Sequence, residues 1–316
     1  LSKHGIAGIM RRMSENNYDF RIGVDLGGTK IEAIALNRDG TFTHRTRVPT
    51  PPVYPDTVRA IAGLVQELER VHGGGRGSVG VGIPGVVSPV TGLVKNANSI
   101  ALNGHPFDRD LTEALGREVR VGNDANCFAL SEASDGAGLG YRTVFGVIIG
   151  TGCGGGIVVD GKMVEGPNKV AGEWGHIPLP WPKETEIPGP LCWCGQHGCL
   201  ERYISGTALA IDCDGPEARD ASSLPARAAG GEQKAIDALS RHADRLGRGL
   251  AVIVNLLDPD VIVLGGGLSN MEHLYAQVPI VMRRHVFSDF VNTPVVKNQH
   301  GDSSGVRGAA WMWPAP

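Results

Sequence analysis

The sequence has no long apolar run. None approaches the ~18 residues of a membrane span, so no membrane partner is expected. It also lacks an excess of either charge. Thirty Lys and Arg stand against 33 Asp and Glu, a formal net charge of −3, which argues against nucleic acid or a membrane surface as a partner. The first twenty residues, LSKHGIAGIMRRMSENNYDF, lack the apolar stretch of a secretory signal and read as a mobile N-terminal extension, 1–20. A cytoplasmic location is therefore the expectation. Cysteine is scarce, six in 316 residues, and stable disulfides are rare in that compartment. There is no Walker A sequence and no dinucleotide fingerprint. No helix-turn-helix precedes the first strand, and no low-complexity tail follows the last helix.

Glycine is abundant instead. The 46 glycines are roughly twice the usual ~7% share, implying tight turns and places where backbone approaches a ligand. RIGVDLGGTKIEAIAL (21–36) reads as strand, glycine turn, strand, and TFTHRTRV (41–48) as a third strand. Apolar spacing predicts a helix over 56–71, a buried strand over 78–84 and a short helix over 107–116 with Asp108 as its cap. A strand over 118–124 and a helix over 124–136 follow. The strand–turn–strand pattern returns at 143–164, which suggests two related domains facing each other. A long helix over 232–257, a strand running into a glycine turn over 260–270, a helix after it weakened by Pro279, and a closing helix over 303–313 complete the reading. Residues 213–231 read as an irregular polar connection.

Three glycine turns end buried strands. DLGGTK offers Gly27, Gly28, Thr29 and Lys30 as phosphate donors, with Asp25 placed to hold Mg²⁺ through water. GTGCGGG supplies Gly150, Thr151 and Gly152; LGGGLS supplies Gly265, Gly266 and Gly267. Each alone is also an ordinary turn; together they suit a nucleoside triphosphate. VGNDANC (121–127) ends a strand and opens a helix. Asp124 there is either a helix cap or a general base on a substrate hydroxyl. CWCGQHGC (192–199) packs Cys192, Cys194, Cys199 and His197 into eight residues, with His176 sixteen residues before Cys192. Two residues is a strained spacing for a disulfide, whereas thiolates converging on a point suit zinc, with His176 or His197 as the fourth ligand. Four protein ligands leave no open position, so such a metal is structural.

These motifs together resemble the ROK family of sugar kinases and repressors. DLGGTK, GIPG (82–85), GNDAN (122–126), IGTGCGGG, GEWGH (172–176), CWCGQHGCLE and LGGGLSN carry the likeness, from about Arg21 to the end. VKNANSIALNGHPF (94–107) and HGDSSGVRGAAWMW (300–313) look most like the fructokinase branch. The resemblance implies an α/β, actin-like sugar-kinase fold. It has two domains, 21–122 with the closing helix packed back on it and 123–302 with the zinc loop, each with a mixed sheet flanked by helices. It places ATP between the domains and a hexose deep in the cleft, most simply fructose giving fructose 6-phosphate. N-acetylglucosamine, glucose and mannose are alternatives, and a non-catalytic sugar sensor is a rival of another class. Asp124 matches the family's catalytic base, and Asn98, Asn123, Glu173, His176 and Glu201 match sugar-contacting positions. The histidine of GEWGH is a zinc ligand in the family, which selects His176 over His197. A homodimer is implied as well. Repressor members carry a DNA-binding domain ahead of this region, for which the first twenty residues are too few.

Overall fold

The computed structural model describes residues 18–97 and 100–314. The chain divides into two compact units. One runs up to Cys127 and takes in the segment from Gly305 onward; the other is Phe128–Ser304. The division falls inside the helix Asp124–Asp135, a few residues beyond the 122/123 boundary expected from sequence.

The first unit is built on a five-stranded sheet, order β3-β2-β1-β4-β7. Its strands are β1 (Phe20–Leu26), β2 (Lys30–Leu36), β3 (Phe42–Pro49), β4 (Gly77–Ile83) and β7 (Val119–Asn123), with a small hairpin of β5 (Val86–Val87) and β6 (Val94–Lys95) between β4 and β7. β1 and β2 are antiparallel, as are β2 and β3; β4 and β7 join parallel to β1 and to each other. β1 and β4 are buried along nearly their whole length, as strands covered on both faces must be. One cover is the helix Tyr54–Val71, whose Thr57, Ile61, Leu64, Val65 and Leu68 recur at helical spacing and are buried. The other is the C-terminal helix Ser304–Trp311. It lies so close that a Cβ on Gly23 would stand 2.0 Å from the Val306 carbonyl oxygen, and one on Gly80 1.9 Å from that of Ala309. Glycine is thus required on the sheet itself, not at a turn. The short helix Phe107–Leu115 begins one residue before Asp108, which therefore sits in the first turn rather than at the cap, where its charge still complements the helix dipole.

The second unit repeats the plan. Its sheet is ordered β10-β9-β8-β11-β12: an antiparallel meander of β8 (Thr143–Ile149), β9 (Cys153–Val159) and β10 (Lys162–Met163), then β11 (Val261–Gly265) parallel to β8 and β12 (Val295–Lys297) parallel to β11. The same order and sense in both sheets accounts for the sequence repeat. The core gathers Phe145, Val147 and Ile149 of β8, Ile262 and Leu264 of β11, and the buried face of the helix Gln233–Leu257. That helix crosses His273–Arg283 at Gly247, where a Cβ would stand 2.6 Å from Val281 Cβ. His273–Arg283 continues through Pro279 rather than breaking there.

Three helices were not expected. Glu201–Ile204 and Gly206–Asp214 follow the cysteine loop directly, and Leu224–Ala229 lies within the stretch read as irregular. Leu224 is buried in the core, so that stretch is anchored by packing despite its polar composition. Among the described residues, no helix is long and apolar enough to cross a membrane. The expectation of a mobile extension falls, for residues 1–17, outside the described residues.

Candidate functional site

In the first unit, Asp124 is the opening residue of the helix Asp124–Asp135, directly after β7. The cap is its neighbour. Asn123 Oδ1 accepts from the backbone N–H of Ala125 at 2.9 Å and of Asn126 at 3.3 Å, and its Nδ2 donates to the Gly85 carbonyl at 3.4 Å. The bland role open to Asp124 is thus already filled. Asp124 Oδ1 accepts from the Ala125 N–H at 2.8 Å, which fixes the carboxylate against the helix end.

Asp25 lies at the end of β1, beside the DLGGTK turn. Burial, and then the charges of Asp124 and Glu32, push its carboxyl up to about 6, against a smaller opposing pull from Lys30. Two carboxylates that sense each other on a partly enclosed surface favour a cation between them and the solvent. The turn itself is a tight hairpin. Gly27 N–H donates to the Lys30 carbonyl at 3.0 Å, so that donor is used within the turn, and Thr50 Oγ1 donates to the Gly27 carbonyl at 2.7 Å. Gly28, Thr29 and Lys30 are exposed, and no neighbouring atom lies within 4 Å of where a Cβ on Gly28 would stand.

In the second unit, two glycine turns lie at the carboxyl ends of the parallel pair β8 and β11. Gly150–Gly152 joins β8 to β9. Gly266, at φ +79°, follows β11, and a Cβ there would meet the Ile149 carbonyl oxygen at 2.5 Å. The helix Gly206–Asp214 abuts them: Gly206 N–H donates to the Gly150 carbonyl at 2.6 Å, and Thr207 Oγ1 donates to that of Thr151 at 3.0 Å. Ser205 caps this helix by accepting from the Ala208 N–H. Open backbone turns beside a helix N-terminus, at the carboxyl edge of parallel strands, suit an anionic ligand.

The glycines of GTGCGGG divide into two jobs. Gly154, Gly155 and Gly156 belong to β9, not to the turn. A Cβ on Gly155 would stand 2.7 Å from Trp174 Cδ1, and one on Gly172, at φ +91°, 2.4 Å from the Gly155 carbonyl oxygen. They admit the GEWGH loop against the strand. Trp174 pins that loop: its ring is buried edge-on to Phe145, and its Nε1 donates to the Gly154 carbonyl at 3.1 Å. Glu173 is left exposed, and His176 is turned to the cysteine loop.

There, His176, Cys192, Cys194 and Cys199 bring their ligand atoms within 4.8 Å of one another. His176 Nδ1 and Cys192 Sγ are 3.6 Å apart, and Cys194 and Cys199 Sγ 3.5 Å. Tetrahedral zinc with bonds of about 2.0–2.3 Å requires neighbouring ligands ~3.5–3.8 Å apart, so the donor set fits the ion. Packed thiols resist ionising together. Cys199 is pushed up to about 12 by burial and the adjoining thiols, while Cys194 is drawn down to about 7, first by the Gln196 backbone N–H. A cation relieves this conflict. His197 turns away, its Nδ1 3.0 Å from the Gly189 carbonyl oxygen.

Glu201 ties the cysteine loop to the glycine turn. Its Oε2 accepts from the Cys153 N–H at 2.9 Å, and its Oε1 from the Trp193 indole N–H at 3.0 Å.

Residues 21–315 match the sequence model of the ROK family. The chain belongs to the ROK family. It is 40% identical over 297 residues to an N-acetyl-D-glucosamine kinase of Pectobacterium atrosepticum, covering 92% of this chain and 97% of that protein. Among solved ROK structures it is similar to a hexokinase from Thermus thermophilus (TM-score 0.82, 33% identity, 93% of this chain and 97% of that one). It is also similar to a glucokinase from Streptomyces griseus solved with glucose and AMPPNP (TM-score 0.75, 32% identity, 93% and 98%).

The structure of this ROK protein gathers His176, Cys192, Cys194, Cys199 and Glu201 in the second unit, with Gly150–Gly152 and Gly265–Gly267 nearby along the sheet edge. In the first unit it sets Asp25 within electrostatic reach of Asp124, with Asn123 as cap. Asn98 lies outside the described residues. The fructose preference drawn from 94–107 finds no support in the kinase relative above. Much of that stretch is scaffolding: Asn103 closes a pair of hydrogen bonds with the Ala97 backbone, His105 stacks on Tyr54, and Phe107 is fully buried. Sequence reasoning missed Ser205, Gly206 and Thr207, although a Ser–Gly–Thr step before an apolar run is a readable helix start.

Proposed function

We propose that this ROK protein is an ATP-dependent sugar kinase that phosphorylates a hydroxyl of N-acetyl-D-glucosamine. The named kinase relative, 40% identical over 297 residues, supports the sugar. The observation that carries the chemistry is the position of Asp124, which opens a helix whose cap is supplied by Asn123.

Asp124 accepts the proton of the attacking hydroxyl as the oxygen bonds to the γ-phosphorus and ADP leaves. The helix N-terminus favours the negative charge of the base before it takes that proton. In the second unit, the turns at 150–152 and 265–267 hold phosphate, with open space beside Gly150 and Gly267 for its oxygens; in the first unit, the turn at 27–30, open beside Gly28, takes phosphate in the same way. Asp25 would hold Mg²⁺ through water. When bound, that ion neutralises phosphate charge. Glu173, His176, Glu201, Asn123 and Asn98 orient the sugar hydroxyls. A structural zinc held by His176, Cys192, Cys194 and Cys199 would fix His176 and the loop leading into Glu201, with no part in the chemical step. The thiols of Cys192, Cys194 and Cys199, gathered for a metal, stay reduced in a reducing compartment, the cytoplasm. A homodimer completes the reading and is tested by sedimentation.

Asp124→Asn tests the base. Turnover should fall by about 10²–10⁴-fold while sugar affinity stays within about threefold. Turnover near the wild-type rate would remove Asp124 from the reaction.

A further inference from the structure

Trp193 occupies the position between Cys192 and Cys194, and 64% of its surface is exposed. Two directed contacts account for a large aromatic there. Its indole N–H donates to Glu201 Oε1 at 3.0 Å. Its ring meets the His176 ring edge-on, with centroids 4.9 Å apart and planes at 85°. The second oxygen of Glu201 accepts from the Cys153 N–H, and a Cβ on Gly152 would stand 2.9 Å from that same oxygen. One line of contacts therefore runs from the His176–cysteine cluster, through the indole, to the Glu201 carboxylate and on to the Gly150–Gly152 turn.

We propose that Trp193 is a positioning residue that aims Glu201 at the sugar, coupling the carboxylate to the metal-binding loop. The proposal rests on Glu201 being a sugar ligand. A carboxylate oxygen has two acceptor sites. Oε1 uses one for the indole and keeps one for a sugar hydroxyl, while Oε2 is held by backbone. Without the indole, only one end of the carboxylate is fixed, and the end that meets the sugar swings. The sugar then bears the entropy of ordering it. Because Trp193 takes no part in proton or phosphoryl transfer, its loss falls on binding rather than on turnover.

The test is Trp193→Phe, which keeps a ring edge for His176 and removes the N–H donor. Metal content, N-acetyl-D-glucosamine affinity, KM and kcat are measured beside those of wild type and Glu201→Gln. The expected result is unchanged zinc content, kcat within twofold, and Kd and KM for the sugar both raised about tenfold. Wild-type tryptophan emission should shift on adding the sugar, and Trp193→Phe should lose that shift. Unchanged Kd and KM in Trp193→Phe, with both raised in Glu201→Gln, would overturn the coupling and leave the sugar role of Glu201 standing. Unchanged affinity in both variants would remove Glu201 from the sugar site and the proposal with it. Should Trp193→Phe lose its metal, Trp193→His decides, since it keeps a ring N–H. Recovered affinity upholds the hydrogen bond, and continued loss refutes it.

Discussion

Replacing Asp25 with asparagine should stabilise the free protein while damaging its use of Mg²⁺ and ATP. The Asp25 carboxyl rises from an ordinary 3.8 to about 6 in the folded chain, through burial first and the charges of Asp124 and Glu32 second. A raised carboxyl binds its proton more tightly folded than unfolded. Its contribution to stability is therefore full below pH 3.8 and is lost as pH rises through about 6. Above pH 6 the native chain carries a reluctant charge costing at most about 3 kcal/mol, at ~1.4 kcal/mol per pH unit. Asp25 is not fully enclosed, so solvent screening trims this to about 1–3 kcal/mol. Asparagine has the same shape and no charge to bury. Urea unfolding of the ligand-free protein without added Mg²⁺, at pH 8 and pH 5, reads the effect. Asp25→Asn should be the more stable variant at pH 8, with an advantage about half as large at pH 5. The same variant should need much more Mg²⁺ for activity. Equal stability at both pH values would refute the strained-carboxylate account, and a less stable Asp25→Asn at pH 8 would reverse it.

Two other sites give stability predictions. Gly172→Ala forces a side chain at φ +91° into the Gly155 carbonyl and should cost about 2 kcal/mol or more in denaturant unfolding, with sugar affinity falling as GEWGH is displaced; a change below ~0.5 kcal/mol would show the loop is not seated as described. Glu186 is buried against Arg245 and Arg248. Burial works against its charge, yet Arg248, the Lys183 N–H and Arg245 hold its carboxyl down at about 2. That stability is present above pH 4.5 and lost as pH falls toward 2. Glu186→Ala should lose roughly 2–4 kcal/mol at pH 7, and the deficit should shrink below pH 4.5; a deficit that persists to pH 2 would exclude this ion cluster as the cause.

The parts of this fold that were legible in sequence are those written locally. The twofold meander follows from short apolar runs separated by glycine turns, and the thiols of CWCGQHGC converge because their spacing lets them. What was not legible depends on partners far along the chain. Gly154–Gly156 look like a turn, yet they line a strand because Trp174 and Gly172 pack on it. The cap was open to Asp124 in the sequence, and only the side-chain contacts give it to Asn123, whose Oδ1 accepts from the Ala125 and Asn126 N–H groups. The helix Gly206–Asp214 has hardly any amphipathic pattern, since much of it is enclosed, so periodicity passes over it. Cys213, Ala221 and Leu224 are scattered buried residues in a polar stretch, too few to announce a helix. The sugar is the hardest of all to read, because within 94–107, residues such as Asn103, His105 and Phe107 serve the packing of the segment and say nothing of the hexose.

The most direct measurement is ADP release with ATP and Mg²⁺ across N-acetyl-D-glucosamine, glucose, mannose and fructose. The account predicts that N-acetyl-D-glucosamine leads in kcat/KM by at least tenfold and that Asp124→Asn abolishes its turnover. A lead for fructose would contradict the substrate proposed here, and no turnover of any sugar by folded, zinc-loaded protein would contradict the kinase itself.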